Sequence, residues 1–440
     1  MKKVLSVLIA ASLGTLSISA SAENLAEIYK QAQDNDPQLL RSAAQRDAAF
    51  EAVSSSRAPL LPQISLTAAY NYGEGYFGEE TNAFTAGVGL SQELYQRSSW
   101  VTLETSEKQA RQQDSAYAAQ KQNLILRVAT AYFEVLRAQD GLEFVQAEKK
   151  AVARQLDQEK QRFDVGLSAI TNVHEAQAEY DSVLAAEVTA KNSLVNSYES
   201  LREITGQGHN NLDVLDVKRF SASPAAKSTD KLVEQAQSEN LSLLAARINQ
   251  DIARDNIKLA SSGHLPSLTF NADAGYANGT LSGTTDVDDT KYNLGINLSV
   301  PLYTGGNVSA QVKQAEYNYV AVSEDLEASY RSVVKTVRAS KNNIDATLGS
   351  IKAYEQSLVS AESALAAVET GYEVGSRTIV DVLDFTRRVF EAKRNLSDAR
   401  YNYVISVLQL KQAVGTLSEQ DVLDINTGLI PATSATKEDS

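Results

Sequence analysis

The sequence repeats itself over a distance of about 200 residues, and this duplication constrains the fold more than any other feature. Residues 61–66 read LPQISL and return after 204 positions as LPSLTF at residues 265–270. Residues 163–166 read FDVG and return after 209 positions as YEVG at residues 372–375. Solenoid repeats have periods of roughly 20–50 residues, so a repeat this long indicates one large unit present twice.

The N-terminus has the pattern of a secretory signal peptide over residues 1–22. Lys2 and Lys3 precede an apolar stretch, and the small residues ASA at positions 20–22 form a cleavage site. We therefore expect the mature chain to begin at Glu23, outside the cytoplasm. The chain contains no cysteine, which excludes disulfides and thiol chemistry.

Two long stretches contain no proline and almost no glycine. Residues 98–164 include only Gly141, and residues 307–370 include only Gly349. Proline inside a helix removes a hydrogen bond and clashes with the preceding turn. Each stretch therefore predicts one continuous helix, roughly 100 Å long at 1.5 Å per residue. A tube that crosses a wide compartment needs such helices, whereas a compact domain does not.

An apolar seam runs along these predicted helices. From Leu124 to Val145 its members step alternately by four and three residues, the spacing of a left-handed coiled coil. We expect two antiparallel helical hairpins, at about 98–206 and 307–414. Their turns are predicted at Val165, Gly166 and Leu167 and at Val374, Gly375 and Ser376, because glycine adopts the conformation that ends a helix.

Four segments alternate apolar and polar residues with a period of two. They are predicted as strands at about residues 63–72, 82–95, 266–277 and 291–303. A soluble, half-buried sheet produces the same pattern. Strands of ~9–11 residues also suit a tilted span of a bilayer, with aromatic girdles at its two edges. The predicted outer girdle comprises Tyr70, Tyr72, Tyr76 and Phe77, and the inner one Tyr95 and Tyr303.

Four strands per chain predict an oligomer. In lipid every strand edge must be paired, and four strands cannot close a barrel. Two chains would supply eight strands, whose interior fills with side chains, whereas three would supply twelve and leave a water-filled passage. We therefore predict a homotrimer, in which a 12-stranded β-barrel is joined to a tube of long coiled-coil helices.

Several separated segments resemble a known family. They include RAPLLPQ at 57–63, RTIVDVLD at 377–384 and ARYNY at 399–403. With these segments the chain resembles the TolC family of outer-membrane channel-tunnel proteins, from the mature start to about residue 426. The resemblance implies a homotrimer with a 12-stranded outer-membrane β-barrel and an α-helical coiled-coil barrel in the periplasm. Such a trimer is an outer-membrane exit duct for tripartite drug efflux and type I secretion. The resemblance also implies two partners, a periplasmic adaptor (membrane fusion) protein and an inner-membrane pump of RND or ABC type.

Two acidic residues after the second turn are candidates for an ion filter. Asp381 and Asp384 lie three residues apart, so they share one helix face. In a trimer they would form two stacked carboxylate rings, which select cations. The alternative is a solvated helix N-terminus that acidic residues stabilise through the helix dipole. The resemblance favours the ring, because both aspartates match the family's constriction.

The resemblance also implies a periplasmic gate. Tyr372 and Arg377 match the family's gate residues, which tie the inner hairpin to its neighbours when the channel is closed. Thr171 and Gln155 match positions on the first hairpin that take part in the gate. Asn172 departs from the pattern, which has an aspartate that pairs with the arginine. We expect an amide–guanidinium bond weaker than a charged pair, or another acid such as Asp164 or Glu373 in its place. The six turn residues, 165–167 and 374–376, are expected to contact the adaptor.

The remaining expectations concern partners, metals and boundaries. The net charge of −14 argues against nucleic acid as a partner, because phosphate binding needs basic patches. The three histidines are scattered, and no nucleophile with a base is recognised, so we expect no metal, no cofactor and no enzyme activity. The alternative function is a periplasmic adaptor built on a coiled coil. The predicted regions are a signal peptide (1–22), two repeats (23–215 and 216–426) with irregular segments at about 207–230 and after 416, and a flexible tail (427–440).

Overall fold

The computed structural model describes most of the chain, in three stretches: residues 23–74, 80–280 and 286–431. Four predictions concern residues outside this description. They are the signal peptide (1–22), Tyr76 and Phe77 of the outer girdle, and the tail from 432 to 440.

The helices and strands follow the predicted order twice. The first repeat contains α1 (Leu25–Asn35), α2 (Pro37–Arg57), β1 (Gln63–Glu74), β2 (Glu80–Tyr95), α3 (Arg97–Asp164) and α4 (Ile170–Thr205). A short strand, β3 (Val214–Leu215), comes between the repeats. The second repeat contains α5 (Thr229–Glu239), α6 (Leu241–Ser261), β4 (Ser267–Thr280), β5 (Asp286–Ser299), α7 (Asn307–Glu373) and α8 (Ile379–Val414). The chain continues with α9 (Glu419–Asn426) and β6 (Leu429–Ile430).

Local chemistry accounts for several helix ends. Asn24 caps α1 with a capping box that includes Glu27, and Thr378 caps α8 with one that includes Asp381. Proline 37 begins α2, where its missing N–H costs nothing, and so separates α1 from α2. Both α4 and α8 are 36 residues long and end at a left-handed glycine, as C-terminal caps commonly do.

The four long strands form one antiparallel sheet in the order β1-β2-β4-β5. They contain 12, 16, 14 and 14 residues, one or two more than the corresponding predicted segments. One face carries apolar side chains that are open to the surroundings, including Leu66 (78 % exposed), Tyr292 (79 %) and Leu294 (76 %). The opposite face is polar and rich in glycine. Within the described residues β1 and β5 each pair with one strand only, so each leaves an open edge.

The described chain forms two compact units. One contains residues 23–40, 121–236 and 336–431, and the other contains residues 41–120 and 237–335. The sheet lies in the second unit. The first unit has its own helical core, in which α3, α4, α7 and α8 bury aliphatic side chains: Val145, Val152, Leu156, Ala176, Val183, Val368, Ile379, Val382 and Leu383. None of the helices in the three described stretches is long and apolar enough to cross a membrane.

Three details differ from the expectations. The strand β5 ends at Ser299, because Pro301, which has no N–H to donate, follows it. Tyr303 of the predicted inner girdle therefore lies beyond β5. The segments expected to be irregular contain α9 and the paired strands β3 and β6, with Val214 opposite Ile430. The predicted flexible tail therefore begins with an ordered, paired strand.

Candidate functional site

The turns of the two helical hairpins have closely similar backbones. Gly166 has φ of 76° and Gly375 has φ of 77°, both in the left-handed region that glycine adopts without strain. In the first turn the N–H of Leu167 donates to the carbonyl oxygen of Arg162 at 2.7 Å. In the second turn the N–H of Ser376 donates to the carbonyl oxygen of Gly371 at 2.8 Å. The predicted turn positions are therefore correct.

Apolar side chains stand out at the tips of both turns. Val165 is 69 % exposed, Leu167 72 % and Val374 74 %. Exposed aliphatic residues beside a glycine offer surface for contact with another protein. The structure thus brings the six turn residues into two equivalent tips within one protomer.

A buried carboxylate, Glu159 on α3, is the centre of the polar contacts beside these turns. The residue is fully buried (0 % exposed). Its Oε1 accepts a short hydrogen bond from the hydroxyl of Tyr372 on α7. Its Oε2 accepts a hydrogen bond of 2.7 Å from the hydroxyl of Ser168, in the first turn. Glu159 therefore links the first hairpin turn to the last turn of α7.

The environment of Tyr372 keeps its hydroxyl protonated. Burial, together with the hydrogen bond to Glu159, raises the pKa of Tyr372 to about 12. The guanidinium carbon of Arg162 lies 5.0 Å from the centre of the Tyr372 ring, within the range of a cation–π contact. Tyr372 is thus a hydrogen-bond donor to a buried acid and also packs against a cation.

Gln155 forms a second link between the hairpins. Its side-chain amide donates to the hydroxyl of Thr386 on α8 at 3.1 Å, and that hydroxyl donates to the carbonyl oxygen of Val382 at 2.8 Å. Thr386 is almost fully buried. Gln155, one of the predicted gate residues, therefore contacts the second hairpin through Thr386.

Asn172 does not contact Arg377 within the protomer, contrary to the expected amide–guanidinium bond. Its side-chain amide donates to the hydroxyl of Ser168 at 3.1 Å, and Ser168 in turn donates to Glu159. Glu159 is the acid beside Asn172, but its partners are Tyr372 and Ser168 rather than Arg377. Thr171 is exposed, and the contacts that join these residues do not include its side chain.

Arg377 folds back along its own chain. A Cβ atom on Gly371 would lie 2.8 Å from the Cγ of Arg377, so the glycine leaves room for that side chain. The residue is exposed, and its charge contributes to lowering the pKa of Asp381. Arg377 therefore lies at the surface of the chain.

The two aspartates of the predicted filter have different surroundings. Asp381 accepts a hydrogen bond from the N–H of Thr378 at 2.9 Å, and this bond and the Thr378 hydroxyl hold its pKa below the usual value. Asp384 contacts Arg387 at 2.5 Å and Arg388 at 2.7 Å. Asp381 thus acts in the helix cap that we considered as the alternative, and Asp384 is partly neutralised by its own helix.

A cleft of about 560 Å³ lies beside these residues in the same unit. Its walls are mostly polar and charged, and include Gln155, Gln158, Arg162, Glu369, Tyr372 and Glu373. The cleft connects the two links, because it contains Gln155 of one and Tyr372 of the other.

Sequence reasoning missed four contributors to the site: Glu159, Arg162, Ser168 and Thr386. The seam that we traced to Val145 continues through Val152 and Leu156 and reaches Glu159 at the next step of three. An acidic residue at a position that is otherwise apolar is expected to be buried and to need partners. That spacing is the signal that would have identified Glu159.

The comparisons with known proteins agree over nearly the whole chain. The family model described as "Outer membrane efflux protein" matches residues 28–207 and 232–416, one match for each repeat. Outer membrane protein TolC of Vibrio cholerae is 64% identical over 433 residues, which cover 98% of this chain and 99% of the relative. Outer membrane protein TolC of Escherichia coli is 48% identical, covering 100% of this chain and 91% of the relative.

More distant relatives preserve the similarity. The alkaline protease secretion protein AprF of Pseudomonas aeruginosa is 27% identical, over 96% of this chain and 90% of the relative. Among solved structures, CusC superposes with a TM-score of 0.79 at 18% identity, covering 89% of this chain and 92% of that chain. The CmeC outer membrane channel of Campylobacter jejuni has a TM-score of 0.78 at 18% identity and covers 95% of each chain. These structures share the fold.

Proposed function

Because this chain belongs to the outer membrane efflux protein family, we propose that it works as a homotrimer that a buried latch at the hairpin turns holds closed. Its family and fold make it an outer-membrane channel for efflux and type I secretion, with a periplasmic helical tunnel. The alternative of a periplasmic adaptor is set aside, because relatives that match the whole chain are outer membrane proteins.

The sheet supports the trimer. Each protomer contributes four long strands and leaves the edges of β1 and β5 open. Unpaired backbone groups cannot face lipid, so the β5 edge of one protomer pairs with the β1 edge of the next. Three copies close a twelve-stranded barrel, in which the exposed apolar face of the sheet meets the lipid.

The single observation that carries the gate is the buried Glu159. Its carboxylate joins the first turn to α7, and Gln155 joins α3 to α8. Moving the second hairpin away from the first breaks the bond from Tyr372, and each hydrogen bond to a buried charge contributes about 1.5–3 kcal/mol. We therefore assign the intra-protomer latch to Glu159 and Tyr372, with Gln155 in support.

Arg377 and Asn172 have different roles in this proposal. Arg377 is exposed beside the turn, so it binds across the protomer boundary. Asn172 orients the Ser168 hydroxyl towards Glu159 and supplies no charge. Thr171, which is exposed next to it, lies on the surface that faces the neighbouring protomer.

The tips and the aspartates complete the periplasmic end. The exposed residues Val165, Leu167 and Val374 provide the apolar surface for a periplasmic adaptor, which in turn connects the channel to an inner-membrane pump of RND or ABC type. Asp381 and Asp384 form the cation-selective rings at the entrance. Asp381 contributes most of the free charge, because Arg387 and Arg388 partly neutralise Asp384.

Planar-bilayer recording tests this proposal. Purified trimers of the parent protein should give a small, cation-selective current, and Tyr372→Phe should increase the open probability roughly tenfold, since one hydrogen bond to a charged group is lost. Adding Arg377→Ser to Tyr372→Phe should raise the open probability further. If Tyr372→Phe and the parent gave the same current, the latch would be wrong although the channel would stand.

A further inference from the structure

We infer that Asp273 on β4, together with Lys291 on β5, sets the charge selectivity of the barrel lumen independently of the periplasmic gate. This inference rests on the proposed trimeric channel, because the polar face of the sheet becomes a lumen only when the barrel closes. It adds a selectivity-determining position within the membrane to the one proposed at the tunnel entrance.

The strand register places Asp273 on the polar face. Asp273 pairs with Gly89 on β2 and with Asn293 on β5, and Gly89 pairs with Ser65 on β1. Directly paired residues lie on the same face of a sheet. Asp273 therefore belongs to a row of four lumen positions whose other members are uncharged.

Asp273 lies deep within the apolar band rather than at its rim. Its neighbours in the strand, Ala272 and Ala274, face outwards and pair with Leu294 and Tyr292, which are 76 % and 79 % exposed. On β2 the aromatic residue Phe84, which pairs with Tyr70 of the outer girdle, is five residues from Gly89. At about 3.4 Å per residue, the Asp273 row is ~17 Å along the strand from that girdle.

The glycine opposite Asp273 gives the carboxylate its position. A Cβ atom at Gly89 would lie 2.9 Å from the Oδ1 of Asp273 and 3.3 Å from the hydroxyl oxygen of Ser65. The Asp273 side chain therefore leans across β2 towards Ser65, in space that any larger residue at position 89 would take. The carboxylate lies along the wall of the lumen, where it is solvated and acts on ions that pass.

Few other charges face the lumen in the described strands. Lys291 lies one row towards the outer end, opposite Gly275, and Asp289 lies one row further, opposite Ala277. Glu93 is near the inner end and accepts a hydrogen bond from Ser99 at 2.6 Å. The rows of Asp273, Lys291 and Asp289 thus have two carboxylates and one ammonium group per protomer, all on the β4–β5 side.

The physical consequence is an excess of negative potential in the passage. Fixed charges on the low-dielectric wall of a narrow channel raise the local concentration of counter-ions. At about 0.1 M salt the Debye length is ~10 Å, so the effect reaches well into the lumen and grows as salt is lowered. Asp273 favours cations, and Lys291 opposes it from a neighbouring row.

The test compares three lumen variants in an open-gate background, Tyr372→Phe/Arg377→Ser, so that the passage is measured with the latch released. The reversal potential in a potassium chloride gradient gives the potassium-to-chloride permeability ratio. Asp273→Asn should lower this ratio about twofold, and Lys291→Gln should raise it by a similar factor. Asp273→Asn/Asn293→Asp, which moves the carboxylate to the adjacent strand in the same row, should restore the starting ratio.

The currents and permeability ratios of these variants separate the inference about Asp273 from the channel proposal. A variant counts as folded if its detergent-purified trimers resist dissociation as well as those of the parent. If folded trimers of the background carried no current, the channel proposal would fail, and this inference with it. If they conducted but all three variants kept the same permeability ratio, the inference about Asp273 would be overturned while the channel remained. Opposite shifts for Asp273→Asn and Lys291→Gln support it.

Discussion

At the turn of the first hairpin the chain places Glu159 on α3, whereas the equivalent position of the second repeat, 209 residues later, is Val368 on α7. Both residues are buried. Just after the turn it is the second repeat that has the acidic residue, since Asp381 is the equivalent of Asn172 in the first repeat. Each hairpin therefore has one acidic residue of this pair beside its turn, but Glu159 is fully buried whereas Asp381 is only half-buried.

This exchange took place on an almost unchanged backbone. The helices α3 and α7 contain 68 and 67 residues, α4 and α8 contain 36 each, and the turn glycines differ in φ by one degree. The difference lies in the side chains. Ala169 begins α4 without a side-chain cap, whereas Thr378 caps α8 with the help of Asp381. The two hairpins therefore share a backbone but differ in chemistry, with a buried hydrogen-bond acceptor beside the first turn and a half-buried charge beside the second.

The largest expected effect comes from making the first turn like the second. Glu159→Val removes the acceptor for the hydroxyls of Tyr372 and Ser168 and leaves both without that partner. The closed state should lose about 2–3 kcal/mol, which corresponds to an open probability ~30- to 140-fold higher in single-channel recordings.

Glu159→Gln is the matched control for this variant. Glutamine keeps the length and the carbonyl acceptor but not the charge, so its effect should be clearly smaller. In the double variant Glu159→Val/Tyr372→Phe, the second change should add little to the first, because both remove the same bond. Fully additive effects of the two changes would contradict the latch.

The second prediction concerns what the two turns share. Gly166→Ala and Gly375→Ala should each destabilise their turn by about 1 kcal/mol, because both glycines have positive φ and no atom lies within 4 Å of the added Cβ. The amide protons of Leu167 and Ser376, which close the turns, should exchange roughly fivefold faster in the corresponding variant. A response in one turn only would show that the two backbones are not equivalent in stability.

Much of the fold could be predicted because it depends on local and repeated patterns. The absence of proline in 98–164 and the glycines of the two turns located α3 and both hairpin turns within a few residues. The strands β3 and β6 could not be predicted in this way. Each is two residues long and exists only because Val214 meets Ile430, which is far away in the sequence. Such pairing leaves no periodic pattern to read.

The site was predicted less completely than the fold. Tyr372 and Gln155 are in the contacts between hairpins, but the acid expected near Asn172 had been sought only at Asp164 and Glu373, as a partner for Arg377. Glu159 lies more than one helical turn before Gly166 and was missed. Only the continuation of the apolar seam to position 159 would have indicated it. The charge state of Asp384 depends on Arg387 and Arg388, whose rotamers the sequence does not specify.

A smaller effect is expected from Asp384, the half-buried carboxylate on α8 after the second turn. Arg388→Gln should free the carboxylate of Asp384 from one of its two cations. Surface ion pairs contribute about 0.2–1 kcal/mol, so block by a trivalent cation added on the periplasmic side should strengthen by roughly two- to fivefold. Arg331→Gln, which removes a similar i,i+4 partner from Glu327 outside the turns, is the control and should leave the block unchanged. Equal block in all three proteins would remove Asp384 from the filter.

The smallest expected effect tests whether the first repeat also uses a carboxylate as hydrogen-bond acceptor farther along the helices, at a position where the second repeat has none. Asp140 on α3 accepts a hydrogen bond of 2.8 Å from the hydroxyl of Tyr401 on α8 and a shorter one from Ser397, whereas its equivalent in α7 is Gly349. Burial raises the pKa of Asp140, so the favourable contribution of its neutral form is present at low pH and is lost as the pH rises through that pKa.

Asp140→Asn should therefore stabilise the contact between α3 and α8 at neutral pH, by at most about 1 kcal/mol, because the amide still accepts from a hydroxyl and carries no charge. The advantage should disappear as the pH falls through the pKa of Asp140, since the parent then becomes neutral as well. Denaturant unfolding at a series of pH values measures both. A variant that is less stable than the parent at neutral pH would mean that the charge of Asp140 strengthens its two hydrogen bonds by more than its burial costs, and the buried acids of the first repeat would then stabilise the closed bundle throughout.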